Sequence, residues 1–169
     1  MGPAKTILLA EDDAGHVTLI KRALTRANID CTVDVVRNGV EAIDYLFSSG
    51  EYADRKPVVM PDLILLDLNM PRLTGIEVLE ALQKEGLQIP VILMTFHGSE
   101  DLAVRVFRLG VKDYVIKPFE ITEMEQAIER ALSEVRLRQE RDDLLARLGA
   151  GTVGRLPETE VDGAALLAL

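Results

Sequence analysis

The residues able to do chemistry stand directly behind apolar runs. Glu11-Asp12-Asp13 follows Thr6 to Ala10, and Asp67 follows Leu63 to Leu66 and leads into Leu68-Asn69-Met70-Pro71. Thr95 closes Val91 to Thr95, and Lys117-Pro118 follows Tyr114 to Ile116. If the runs are neighbouring parallel strands, their ends share one edge and three or four carboxylates converge there. Carboxylates packed together repel one another and lose hydration, so such a cluster persists only when a cation offsets it. Hard oxygen ligands favour magnesium, which keeps several waters and completes its octahedron with phosphate. An acidic magnesium pocket beside a lysine and a hydroxyl fits phosphoryl transfer, with a carboxylate as nucleophile.

The elements that would position these residues alternate along the chain. Apolar runs at Thr6 to Ala10, Thr32 to Val36, Leu63 to Leu66, Val91 to Thr95 and Tyr114 to Ile116 are too continuously apolar for half-exposed antiparallel strands. Helical periodicity falls near Val17 to Arg26, Val40 to Phe47, Gly75 to Lys84 and Asp101 to Leu109, and again from Glu120. The pattern predicts an α/β, doubly wound, five-stranded parallel sheet, whose ligands sit at the carboxyl ends of the strands.

Two segments exceed a compact unit. Ser48 to Pro61, carrying Gly50, Pro57 and Pro61, is longer than the usual connection and reads as a loop insertion. From Glu120 to Leu148 the helical pattern changes phase. Ile121, Met124, Ile128, Leu132 and Val135 form a stripe for the sheet, whereas Leu137, Leu144 and Leu148 form another, suited to a short coiled coil or to a solvated extension. Gly149, Gly151, Gly154 and Pro157 then break the pattern. The expected organisation is a domain over 4–135, a helical extension over 136–148 and a flexible tail over 149–169.

Composition excludes several classes. A net charge of −9 argues against a nucleic-acid surface and against anionic membrane. Cys31 is the single cysteine, so there is no intramolecular disulfide and no thiolate zinc site, and it reads as a small buried hydrophobe. No apolar run is long enough to span a bilayer, and no secretory leader is legible, so a cytoplasmic protein is expected. Gly2 to Thr6 formally fits a myristoylation pattern, but Pro3 follows the glycine, and the match is read as chance. His16 and His97 have no companions at metal-ligand spacing.

Each chemical residue also has a plainer reading alone. Asp13 suits a helix N-cap before Val17, Lys117 a solvated lysine, Thr95 an ordinary strand residue and Tyr114 a core aromatic. Their joint occurrence is the specific signal. The strings ILLAEDD, LILLDLNMPRLTGIEVL, VILMT and DYVIKPF resemble the receiver domains of two-component response regulators, from Lys5 to about Val135.

The resemblance implies a (βα)5 flavodoxin-like fold of strand order 2-1-3-4-5. It implies a phosphoryl acceptor at Asp67, charged by a sensor histidine kinase. It implies a Mg2+ site of Glu11, Asp12, Asp67 and the backbone carbonyl of Asn69. Thr95 is then the switch hydroxyl and Tyr114 the switch aromatic, Lys117 pairs with the phosphoryl group, and the Lys117–Pro118 bond is cis. Output to a downstream protein would use the face made by the fourth helix, fifth strand and fifth helix, and because the fifth helix continues into Leu137, Leu144 and Leu148, a homodimer whose contacts include this face is expected.

Phe96 and His97 depart from the family, which has a small residue after the threonine. A bulky ring beside the pocket would slow attack by water. The segment Gly50 to Asp54 resembles small stand-alone receivers that work with phytochrome-like kinases.

Three other readings compete. The chain is also consistent with the N-terminal module of a longer signalling protein. An aspartyl-phosphate phosphatase of the haloacid-dehalogenase kind needs a second aspartate where Asn69 stands. A silent receiver used only for binding has no need of the charge cluster.

Overall fold

A computed structural model describes residues 4–151. Gly2 and Pro3 of the myristoylation-like string and the expected tail from residue 152 onward lie outside those residues. The chain divides into a unit ending at Arg136 and a second unit starting at Leu137.

Five strands, β1 (Lys5–Ala10), β2 (Cys31–Val36), β3 (Leu63–Asp67), β4 (Val91–Thr95) and β5 (Asp113–Ile116), alternate with α1 (Ala14–Arg26), α2 (Gly39–Phe47), α3 (Gly75–Lys84), α4 (Glu100–Arg108) and α5 (Ile121–Gly151). The strands pair in parallel in the order β2-β1-β3-β4-β5, as expected. β3 and β4 are buried along their whole length, which is why they read as continuous apolar runs. β2 at the edge alternates in exposure instead.

Successive residues of a strand serve opposite faces. Leu8, Ala10, Ile64, Leu66 and Leu93 pack with Ala42 and Leu46 of α2, Val78 and Leu79 of α3 and Val106 of α4. Ile7, Leu9, Leu63, Leu65, Ile92 and Met94 pack with Ile20 and Leu24 of α1 and with Met124, Ala127 and Ile128 of α5. The first α5 stripe therefore faces the sheet. Cys31 is only partly buried there rather than enclosed, because it opens an edge strand; burial, then the charge of Asp30, pushes its thiol up.

Helix starts follow cap chemistry. Asp13, Asn38, Thr74 and Ser99 each accept a backbone N–H three residues on, and Thr74 forms a reciprocal capping box with Glu77. Asp13 thus has the N-cap role read from the sequence.

The 48–61 insertion is pinned rather than loose. It opens with a 3-10 turn at Gly50–Tyr52, and Arg55 lies over the Tyr45 ring, 3.7 Å from its centroid. Arg55 Nη2 donates to the carbonyls of Tyr45 and Val59.

In the second unit α5 continues through Gly149 to Gly151, past the break expected at Gly149. A glycine costs a helix about 1 kcal/mol relative to alanine, a penalty rather than a stop. Leu137, Leu144, Leu145 and Leu148 are exposed there. No described helix is long and apolar enough to cross a membrane.

Candidate functional site

The strand ladder runs one residue past the strand ends and fixes the backbone of the edge. Glu11 N donates to Val36 O at 3.0 Å, Leu68 N to Met94 O at 2.8 Å and Lys117 N to Thr95 O at 2.7 Å. Beneath Asp67, Gly75 N donates to Leu68 O at 2.9 Å, and a Cβ on Gly75 would stand 2.7 Å from the Asp67 carbonyl oxygen. Only glycine lets α3 begin this close to the strand end.

On this edge Glu11, Asp12 and Asp67 each offer a carboxylate oxygen within 4.8 Å of the others. Glu11 and Asp67 are buried and Asp12 is exposed. Lys117 is buried with them. Its Nζ lies 2.6 Å from Glu11 Oε2 and 3.3 Å from Asp67 Oδ1. A single ammonium against three carboxylates leaves a net charge of about −2. Those oxygens are hard ligands, and the excess charge suits a divalent cation.

The remaining expected residues divide. Thr95 is fully buried at the end of β4, and its hydroxyl donates to the His97 carbonyl at 3.3 Å while accepting the His97 amide at 3.2 Å. Asn69 is exposed, and its amide donates to Asp67 Oδ1 at 3.3 Å. The Lys117–Pro118 bond is cis, as is Lys56–Pro57. Tyr114 is not at the carboxylates; it packs edge-on against Phe107 of α4, the ring centroids 6.0 Å apart. Asp13 points away into its cap, and the bond from the His16 amide holds its carboxyl below the usual carboxylate range.

Two side chains close the lysine side of the pocket. Phe96 is exposed, and its ring centroid lies 5.0 Å from Lys117 Nζ. His16, which spacing rules for metal ligands pass over, comes within 3.2 Å of the same Nζ through Nδ1. The signal for it was present in the sequence. His16 is the third residue after the cap Asp13, and side chains in a first helical turn lean back toward the helix start, here the edge with Glu11.

A family model described as response regulator receiver domain matches residues 7–129. The luminescence regulatory protein LuxO of Vibrio campbellii is 36% identical over 136 residues, 80% of this chain but 27% of its own. The chain therefore spans about a quarter of the length of that curated relative. Among solved structures, the bacteriophytochrome response regulator RtBRR is similar with a TM-score of 0.65 and 36% identity, over 78% of each chain. The Mn2+-bound form of response regulator Rcp1 is similar with a TM-score of 0.63 and 35% identity, over 72% of this chain and 87% of its own.

Proposed function

The chain belongs to the response regulator receiver family of two-component signalling, and from that premise we propose that it takes a phosphoryl group onto Asp67 from a sensor histidine kinase. The observation that carries the reading is the buried Asp67 carboxylate standing with Glu11 and Asp12 and 3.3 Å from the Lys117 ammonium, at the strand edge. An Asp67 oxygen attacks phosphorus as the phosphorus–nitrogen bond of the donor phosphohistidine breaks. The bonding pair stays on the departing imidazole nitrogen. Lys117 offsets charge on the phosphoryl oxygens. The chain is a phosphoacceptor, not a turnover enzyme, and water later releases the group.

Glu11, Asp12, Asp67 and the Asn69 carbonyl would hold Mg2+, an assignment supported by the donor set and by the Mn2+-bound relative. When bound, the ion offsets charge on the transferring group. Thr95 would exchange its His97 partner for a phosphoryl oxygen, and Tyr114, packed on Phe107, would move with it. The face of α4, β5 and α5 would then meet a downstream protein or a second copy of this chain. Val104, Phe107 and Ile116 are exposed there. We place the protein in the cytoplasm, away from nucleic acid and membrane. The RtBRR likeness, which covers most of both chains, supports a stand-alone receiver served by a phytochrome-type kinase.

A second reading, the N-terminal module of a longer protein, is favoured by the fraction of LuxO that the chain spans. The haloacid-dehalogenase reading lacks support, because Asn69 stands where its second aspartate is needed. Intact mass after incubation with acetyl phosphate and Mg2+ tests the reading. One phosphoryl unit should appear on the natural chain and none on Asp67→Asn; a gain on the variant removes Asp67 as acceptor.

A further inference from the structure

An ammonium has three hydrogens and no lone pair, so a buried lysine needs three acceptors. Lys117 hydrogen-bonds two, Glu11 Oε2 at 2.6 Å and His16 Nδ1 at 3.2 Å, and makes an ion-pair contact to Asp67 Oδ1 at 3.3 Å. Its side chain is 1% exposed, so bulk solvent does not serve it. Nδ1 lies nearer the ammonium than either carboxylate that it approaches, Glu11 at 3.5 Å and Asp13 at 3.7 Å. Facing a group that only donates, Nδ1 accepts, and the hydrogen-bond network assigns the ring proton to Nε2.

The ring is held in that pose from both ends. The His16 amide donates to Asp13 Oδ1 at 2.8 Å, and the imidazole packs on Phe96 and Phe119 with centroids 5.8 and 6.4 Å away. Resting on the receiver reading above, we propose that His16 is a positioning residue for Lys117. With Glu11 it anchors two of the ammonium hydrogens, which leaves the third on the side of Asp67, where the phosphoryl group arrives.

The order of the contacts favours this division. Asp67 Oδ1 is the one contact made without a hydrogen bond, and its carboxylate loses charge when the acyl phosphate forms, so it is the partner given up for a phosphoryl oxygen. Glu11 and His16 stay. Without an acceptor at position 16 the ammonium pivots about its Glu11 bond, and the aim is lost. Small misplacements of a catalytic group cost one to two decades in rate, and about tenfold is expected here.

Two variants of the full chain separate the acceptor from the ring. His16→Phe keeps an aromatic between Phe96 and Phe119 but accepts nothing, whereas His16→Asn loses the ring and keeps an acceptor near the place of Nδ1. Phosphorylation by acetyl phosphate should slow about tenfold in His16→Phe and stay within about threefold of the natural rate in His16→Asn, with magnesium affinity unchanged in both. In protein labelled with 15N-lysine, the slowly exchanging ammonium signal of Lys117 should vanish in His16→Phe and persist in His16→Asn. Equal rates in His16→Phe and the natural chain, or equal slowing in both variants, would overturn the assignment. The ammonium signal needs no phosphate. If the natural chain takes up no phosphoryl group, the receiver reading fails while that signal still decides whether His16 holds Lys117.

Discussion

Replacing Asp67 by asparagine should stabilise the metal-free protein, although it removes a buried ion-pair partner. With an effective dielectric near 20, Lys117 at 3.3 Å attracts the Asp67 charge by about 5 kcal/mol. Glu11, no more than 4.8 Å away, repels it by at least about 3.5 kcal/mol. Asp12 is exposed, and solvent cuts its repulsion to about 1 kcal/mol. These contributions nearly cancel. What remains is the desolvation of a carboxylate that is 3% exposed, on the order of several kcal/mol even after relaxation. Asparagine avoids that cost, keeps an oxygen for the Asn69 amide and leaves Lys117 to Glu11. A net gain of about 2 kcal/mol is expected. Urea denaturation in a chelating buffer should show a higher midpoint for Asp67→Asn at unchanged slope. Magnesium should reverse the order, since saturation to about 100 times its dissociation constant adds about 2.7 kcal/mol to the chain that binds it well. A metal-free Asp67→Asn less stable than the natural chain, or equal stabilisation of both by magnesium, would refute the charge accounting.

Two further outcomes follow from other parts of the molecule. Sedimentation of the full chain and of a chain ending at Ser133, each with and without phosphorylation, should show a dimer of the full chain whose strength changes with phosphate; monomers in all four samples at tens of micromolar would exclude the homodimer. Burial, then the hydrogen bond to Asp34, pushes the Tyr45 phenol up to about 12. Its protonated form is the one the fold favours, so its contribution is complete below the unfolded value of 10.0 and disappears as pH climbs through about 12. Ultraviolet titration should show a late tyrosine phase that is missing in Tyr45→Phe; an unchanged late phase would assign it elsewhere.

The sequence made the centre of the sheet legible and its rims less so. β3 and β4 are buried on both faces, so their apolar runs had one reading, and the polar residues behind them marked the edge where the carboxylates gather. At the rims the local pattern was diluted. β1 and β2 begin a residue earlier than the apolar count suggested, because ladder bonds and not side chains set the start. Arg55 over Tyr45 was invisible, since a contact between a loop and a helix face has no period in the sequence. His16 was missed because it was weighed as a metal ligand and not as a hydrogen-bond acceptor. The cis bond before Pro118 came from the family resemblance; no composition or spacing in this chain specifies it.

The charge cluster is tolerable because its backbone is held from three independent directions. The Met94 carbonyl fixes Leu68 from the side, Gly75 closes on Asp67 from below, and Thr95 ties Lys117 to the neighbouring strand. None of these clamps uses a charged group. If electrostatics held the edge together, neutralising one carboxylate would loosen it. Because amides and a glycine hold it, the carboxylates can stand closer than their repulsion favours. A closely packed interior gives them little room to relax apart. A cation is the addition that relieves this strain, so the metal-free edge is preorganised for one.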